Sequence, residues 1–288
     1  MNGICRDMYT PTVKEQEYVA GLELFLGVSH EDILTPEAII EQLPKFAPDF
    51  LKHLQNLETQ KILDVGSGNG NKAIYLARKL RENFPQLQII IDSLEPKLEQ
   101  QKKLFQNYRS TSFLGQVFAQ TLASASLSTS YDLVIVLHSL YEFPRGTDEE
   151  ILSLERLQEI MAPHGCCVIA TEHPDGDFQK MKRELYPKFG KKSPLSLSLI
   201  VANLEKAQIS YQIGDIIDYN SPLNHLLELS DNEIGKQLAF LFSDSLEDDP
   251  LKNEQYTIVG QWVRHNHRVE DELVYLHTPD VLVWIYPR

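Results

Sequence analysis

The feature that most constrains the fold of this chain is a short segment, ILDVGSGNG, at residues 62–70. An apolar run leads through Asp64 into a turn with three glycines, and residues 71–84 follow with helical periodicity. Glycine lets the backbone adopt left-handed conformations and approach a bound molecule closely. The segment therefore predicts a strand, a ligand-binding turn and a helix in direct succession.

Strand and helix signals continue to alternate after this unit. They predict strands at residues 89–91, 131–137, 166–171 and 209–219, and helices at residues 97–108 and 148–161. Alternation of this kind is typical of an α/β fold, a mostly parallel sheet covered by helices on both faces. Ligands bind such sheets beyond the carboxyl ends of the strands, which here fall at residues 64–70, 94–96, 137–143 and 171–177.

The flanking segments predict how the chain is organised. A core spans residues 51–177 and is completed by residues 207–220 and 270–288. Residues 1–50, 178–206 and 221–269 are predicted to form a helical substrate-binding cap over the ligand end of the sheet. At the end of the chain, residues 274–277 and 281–286 are predicted to pair as a hairpin around residues 278–280.

Charge and cysteine content limit the possible partners. The chain has 41 acidic and 27 basic residues, a net charge of −14, which disfavours nucleic acid and favours a cationic small molecule. Three cysteines without a CxxC pair indicate reduced thiols and a cytoplasmic setting. No apolar run is long enough for a membrane span, and His265 and His267 lack a third metal ligand, so we expect no membrane and no metal. We expect a monomer or a weak homodimer.

The spacing of the glycines distinguishes between cofactors. A dinucleotide-binding GxGxxG turn would place its third glycine at position 71, which is Asn71, whereas this chain has it at Gly70. An acidic residue two positions before the first glycine resembles the first motif of class I S-adenosylmethionine-dependent methyltransferases. The resemblance implies a Rossmann-like sheet of about seven strands and S-adenosylmethionine as the cofactor, with S-adenosylhomocysteine as the product.

The resemblance also implies which residues contact that cofactor. Glu95, at the end of the second strand, would accept hydrogen bonds from the ribose hydroxyls. The adenine would lie near the third and fourth strands, and a small change of register would exchange Thr121 for Ser124. The full set of expected cofactor contacts is Asp64, Gly66, Ser67, Gly68, Gly70, Glu95, Gln100, Gln120, Thr121 and Leu137.

A narrower resemblance concerns the acceptor molecule. Residues 132–143, DLVIVLHSLYEF, contain neither an Asn-Pro-Pro-Tyr-like tetrad nor a Pro-Cys pair, which favours a small-molecule substrate. Residues 62–100 are similar to the histamine N-methyltransferase family, through the glycine turn, FPQLQ, and LEP followed by EQ. The resemblance implies substrate contacts at Glu31, His138, Tyr141 and His277. The family has amides where this chain has His138 and His277, so a different small polar substrate is expected.

These observations lead to a ranked set of hypotheses. The first is methyl transfer to the nitrogen of a small amine or imidazole, with Glu31 holding a cationic end and His138 accepting the proton. The alternatives are an O-methyltransferase for a natural-product hydroxyl or carboxyl, a non-catalytic S-adenosylmethionine-binding protein and, more distantly, an NAD-linked oxidoreductase.

Overall fold

A computed structural model describes residues 20–22, 24–27, 29–127, 130–140, 148–191, 194–242 and 251–288. After helical residues 20–22 and 24–27, nine α-helices follow within these ranges: α1 Glu31–Phe46, α2 Pro48–Leu54, α3 Asn71–Asn83, α4 Leu98–Tyr108, α5 Asp148–Glu159, α6 Asp177–Leu185, α7 Leu197–Lys206, α8 Asp231–Gln237 and α9 Asn253–Asn266. Two short 3₁₀ helices lie in the same ranges, at Pro187–Phe189 and Ala239–Phe242. The strands of the same ranges are β1 Thr59–Val65, β2 Gln88–Leu94, β3 Leu114–Phe118, β4 Tyr131–Leu137, β5 Met161–Glu172, β6 Tyr211–Ile217, β7 Asn220–Pro222, β8 Arg268–Glu270, β9 Leu273–His277 and β10 Asp280–Ile285.

Seven of these strands form one sheet in the order β3-β2-β1-β4-β5-β10-β6. The strands run parallel except for β10, which pairs antiparallel with both β5 and β6. This arrangement confirms the prediction of an α/β fold with about seven, mostly parallel strands. The remaining three strands form a separate small sheet in the order β7-β9-β8.

Helices bury apolar side chains against both faces of the large sheet. On one face, Leu76 and Leu80 of α3 join a core with Ile62 of β1 and Ile91 of β2. On the other face, Leu154 and Leu157 of α5 pack in a core with Val134 of β4. Because β4 is covered on both sides, its sequence, YDLVIVL, is an almost continuous apolar run rather than an alternating one.

The strand register brings the ligand-side ends of the strands together. Val65, the last residue of β1, is paired with Leu94 of β2, so the glycine turn begins beside Glu95. Leu137, the last residue of β4, is paired with Ala170 of β5. Glu172 of β5 is paired with Asp280, the first residue of β10. Strand β10 therefore begins at the same end of the sheet at which the parallel strands finish.

The hairpin prediction for the end of the chain is wrong. Strand β9 pairs with β7 and β8, whereas β10 enters the large sheet between β5 and β6. All six residues of β10 are buried, which suits a central strand rather than one arm of an exposed hairpin. Pro279 lies between the two strands and has no N–H with which to continue either ladder.

The predicted cap corresponds in part to a third apolar core. This core contains Phe178 of α6, Ile234 of α8, Val259 and Trp262 of α9, and Leu276 of β9. Two helices from the predicted cap, α1 and α7, also place buried residues in the cores on the faces of the large sheet. The domain boundaries given above stay a prediction. Among the described residues, no helix combines the length and apolar character that a membrane span would require.

Candidate functional site

The glycine turn between β1 and α3 has left-handed backbone at each of its glycines, with φ of 70° at Gly66, 54° at Gly68 and 79° at Gly70. The backbone N–H groups of Gly66 and Ser67 donate to the carbonyl of Leu94, at 2.9 and 3.1 Å. The turn is thereby attached to the end of the neighbouring strand.

The three glycines serve different purposes. A Cβ on Gly66 would lie 2.3 Å from Cβ of Ser139, and one on Gly70 would lie 2.6 Å from the ring of Tyr108. Both positions need glycine because the chain itself approaches closely. A Cβ on Gly68 would contact nothing within 4 Å, and Gly68 lines the cleft. Gly68 is therefore where a bound molecule could lie against bare backbone.

Glu95 connects the turn to the next strand end. Its Oε2 accepts a 2.8 Å hydrogen bond from the N–H of Gly68, and its Oε1 accepts one of 2.8 Å from the N–H of Lys97. The residue is 3% exposed and lines the cleft. A carboxylate only accepts hydrogen bonds, so Glu95 presents to the cleft the kind of acceptor that ribose hydroxyls need.

Asp64 lies beneath the turn and does not line the cleft. It is 4% exposed, and burial raises its pKa from the ordinary 3.8 to about 7. Asp64 was predicted to contact the cofactor, but the structure buries it outside the lining of the cleft.

A cleft opens above these residues. One end is formed by the glycine turn, and the other by His138, Tyr219 and Asp280. The cleft is also lined by apolar side chains that belong to the third core or pack against it: Leu22, Phe25, Leu26, Phe178, Phe240 and Leu241. The cleft thus connects the glycine turn with His138 and Asp280.

His138 immediately follows β4 and has a left-handed φ of 58°, which a non-glycine residue adopts at a cost of about 1–3 kcal/mol. Its Nε2 lies 2.9 Å from Oδ2 of Asp280 and 3.4 Å from Oε1 of Glu31. Neither oxygen is aligned for a hydrogen bond with Nε2, so the pairing is mainly electrostatic. Burial opposes the charged imidazole, but the carboxylates of Asp280 and Glu31 outweigh it and raise the pKa of His138 above 6.5.

Asp280 contacts both His138 and Tyr219. It is 1% exposed, and its Oδ2 accepts a 2.8 Å hydrogen bond from the hydroxyl of Tyr219. Burial raises the pKa of Asp280, and the nearby charge of His138 partly offsets that effect. The same surroundings raise the pKa of Tyr219, first through burial and then through Asp280.

Glu31 lines the cleft, but it already has a cationic partner. Its carboxylate forms a buried ion pair with Lys72, the second residue of α3. Burial alone would raise the pKa of Glu31, but the charges of His138 and Lys72 lower it. A cation on a bound molecule would therefore share Glu31 with Lys72.

The other predicted site residues are only partly brought together. Ser67, Gln100 and Leu137 line the cleft. Gln120 and Thr121 are exposed and do not line it, and Thr121 instead lies 3.1 Å from Ser124.

Two predicted substrate contacts, His277 and Tyr141, have different outcomes. The ring of His277 points elsewhere, with Nε2 2.6 Å from Oδ1 of Asp218, and His277 is not one of the lining residues. Tyr141 lies outside the described residues.

Sequence reasoning missed Lys72, Tyr219 and Asp280. Lys72 is the second residue of α3 and directly follows the glycine turn. This position in the sequence could have identified it as a residue near the site. No local signal marks Asp280, because its position depends on β10 entering the sheet beside β5.

No model of a known protein family matches the chain, and no curated protein sequence matches it. Solved structures do match. Loganic acid methyltransferase with SAH matches at a TM-score of 0.59 and 10% identity, over 94% of each chain. YcgJ from Bacillus subtilis matches at 0.52 and 13% identity, over 84% of this chain and 99% of that one.

A third match is a candidate sarcosine dimethylglycine methyltransferase from Galdieria sulphuraria, at a TM-score of 0.51 and 14% identity, over 88% of this chain and 85% of that one. At such identities the matches concern the fold. The chain has the Rossmann-like α/β fold that methyltransferases of this kind share.

Proposed function

We propose that this protein is an S-adenosylmethionine-dependent methyltransferase that acts on a nitrogen of a small polar molecule. The observation that carries the proposal is the content of one cleft. It holds the open backbone of Gly68 beside the Glu95 carboxylate at one end and His138, paired with Asp280, at the other. Such a cleft offers a cofactor site and an acceptor site in contact with each other.

The residues at the first end fit the proposed cofactor. Open space above Gly68 accepts a ligand without a side chain in the way, and Glu95 lines the same cleft with a carboxylate, which is the kind of acceptor that ribose hydroxyls need. Ser67, Gln100 and Leu137 complete this part of the wall. When bound, S-adenosylmethionine supplies a methyl group activated by a cationic sulfur, so the protein has mainly to position the acceptor.

The glycine spacing and the sheet support this cofactor over NAD. The third glycine stands at position 70, where its backbone packs against Tyr108, and position 71 begins the helix with Asn71. The structural match to loganic acid methyltransferase, which was solved with SAH, is in agreement.

His138 has the surroundings of a proton acceptor. An amine must present a neutral lone pair, so a protonated acceptor has to lose a proton. Nε2 of His138 faces Asp280 and Glu31, which leaves the opposite ring nitrogen, Nδ1, for the acceptor. The two carboxylates stabilise the imidazolium that forms when His138 takes this proton.

A nitrogen acceptor is favoured by charge and by sequence resemblance. The chain carries a net charge of −14, which attracts cations such as protonated amines. In the cleft, Asp32 and Asp280 add carboxylates, whereas Glu31 and Glu172 are paired with Lys72 and Lys182. Residues 62–100 are similar to the histamine N-methyltransferase family, whose members methylate nitrogen.

Methyl-labelled S-adenosylmethionine tests the proposal against a panel of amines and imidazoles and a matched panel of phenols and carboxylic acids. We expect label in the nitrogen panel and loss of transfer in His138→Ala, with cofactor affinity unchanged. His265→Ala, on the exposed surface of α9, is the control. Transfer to oxygen alone would contradict the nitrogen assignment, and cofactor binding without transfer to any compound would contradict the assignment as an enzyme.

A further inference from the structure

Next to His138 the cleft adjoins a small side cavity. His138, Glu172, Gln179 and Lys182 line both spaces, so a molecule bound at His138 lies beside the cavity. The remaining wall combines the apolar side chains of Leu140, Ala170, Pro194 and Leu195 with those of Thr171 and Tyr186. Its polar atoms therefore decide which chemical group fits there.

Gln179 has an amide whose orientation is determined by its neighbours. The residue is 2% exposed, and its Nε2 donates to Oε2 of Glu172 at 2.7 Å and to the carbonyl of Leu195 at 3.0 Å. The reverse orientation would place the amide oxygen against two acceptors. Both of these hydrogen bonds of the amide therefore use Nε2. The other amide atom, Oε1, is buried and has no hydrogen-bond partner among the described residues. A buried acceptor of this kind requires a donor.

The charge of the cavity determines which kind of donor is favoured. Lys182 donates to Oε1 of Glu172 at 2.6 Å, so the two charges of this wall compensate each other. An ammonium group would add an unpaired charge beside Lys182, whereas a neutral hydroxyl or amide N–H would not. The wall thus favours a neutral donor.

We infer that the side cavity binds a neutral hydroxyl or amide group of the acceptor molecule, which donates its hydrogen to Oε1 of Gln179. The inference rests on the proposed function, since it places the nucleophilic nitrogen at His138 and a second polar group beyond it. The acceptor class is then that of small bifunctional amines, such as amino alcohols and amino amides.

Two amines that differ only in this donor test the inference. 3-Amino-1-propanol has a terminal hydroxyl, and 3-methoxypropylamine has the same chain with that hydrogen replaced by methyl. Their affinities are measured by NMR titration, with and without S-adenosylhomocysteine. We expect wild-type protein to bind the amino alcohol at least tenfold more tightly, and Gln179→Met to bind the two amines equally.

Gln237→Met is the matched control, because Oε1 of Gln237 is also buried without a partner among the described residues but lines neither space. It should keep the tenfold preference. Equal affinities in the wild-type protein, or no binding of either amine at millimolar concentration, would overturn the inference, as would a preference that survives in Gln179→Met. The wild-type comparison needs no variant, so it holds if Gln179→Met does not fold.

The titration without S-adenosylhomocysteine separates this inference from the proposed function. A protein that discriminates between the amines but does not bind S-adenosylhomocysteine would keep the side-cavity site and contradict the methyltransferase assignment. A protein that binds S-adenosylhomocysteine but does not discriminate between the amines would keep the cofactor assignment and contradict the side-cavity site.

Discussion

The carboxylate of Glu95 accepts a hydrogen bond of 2.8 Å from the backbone N–H of Gly68. Pairing of β1 with β2 brings these residues together, because Val65 lies opposite Leu94 and the next residues lead out of the sheet on the same side. The bond holds the glycine turn in the shape that leaves the space above Gly68 open.

Replacing Gly68 with aspartate should therefore remove cofactor binding. The new side chain would enter the cleft beside Glu95, adding both bulk and a second negative charge. We expect affinity for S-adenosylmethionine, measured by calorimetry, to fall by roughly 100-fold, which corresponds to about 2.7 kcal/mol. Gly190→Asp is the matched control, since Gly190 also has a left-handed φ, of 68°, and open space around it but does not line the cleft. Equal losses in both variants would indicate a backbone effect rather than a binding site.

Gly66 should be sensitive for a different reason. A Cβ there would overlap Cβ of Ser139, so Gly66→Ala should lower the free energy of unfolding by roughly 2–4 kcal/mol through overpacking and backbone strain. Adding Ser139→Gly removes the overlap but not the strain, and should restore part of the loss. Urea unfolding of the single and double variants measures the coupling. Purely additive effects would contradict the packing explanation.

The pairing of His138 with Asp280 predicts a change that needs no substrate. Asp280→Asn removes one of the two carboxylates that raise the pKa of His138, so that pKa should fall. Glu31, Lys72 and Asp32, which also act on His138 electrostatically, are unchanged in this variant. NMR titration of the His138 imidazole measures the shift.

The control for this experiment is Asp218→Asn, which removes the exposed carboxylate beside His277. It should leave the titration of His138 unchanged. A His138 that titrates identically in wild-type protein and in Asp280→Asn would show that the carboxylate has no effect on the imidazole.

Asp64 predicts a dependence of stability on pH. Its pKa in the folded protein is about 7, above the ordinary 3.8, so between these values the folded state holds a proton that the unfolded state has lost. This difference makes the folded protein less stable as the pH rises from about 4 to about 7, by a total on the order of a few kcal/mol. Asp64→Asn removes the effect, so its stability relative to wild type should rise over that range and then level off. Urea unfolding at pH 4.5, 6 and 8 checks this, and a constant difference would contradict it.

Local patterns in the sequence were sufficient to predict the glycine turn and the strand end that lie at one end of the cleft. The strand, turn and helix around Gly66, Gly68 and Gly70 have short-range signals, and Glu95 follows from the next strand in the same way. The mostly parallel sheet was predicted for the same reason, because alternating elements of this length have few other arrangements.

The acceptor end depends on contacts between distant parts of the chain. Asp280 reaches His138 because β10 inserts antiparallel between β5 and β6, whereas the sequence pattern suggested a local hairpin. The same long-range packing pairs Lys72 with Glu31 and turns His277 toward Asp218. Gln120 and Thr121 follow β3 as expected, but their exposed positions depend on how the connection after that strand runs.

The most direct test of the account is calorimetric titration of the purified wild-type protein with S-adenosylmethionine, S-adenosylhomocysteine and NAD. We predict saturable binding of the first two with one site per chain, weakened in Gly68→Asp, and no binding of NAD. Binding of NAD without binding of either sulfur compound would contradict the central claim that the glycine turn and Glu95 form a site for S-adenosylmethionine.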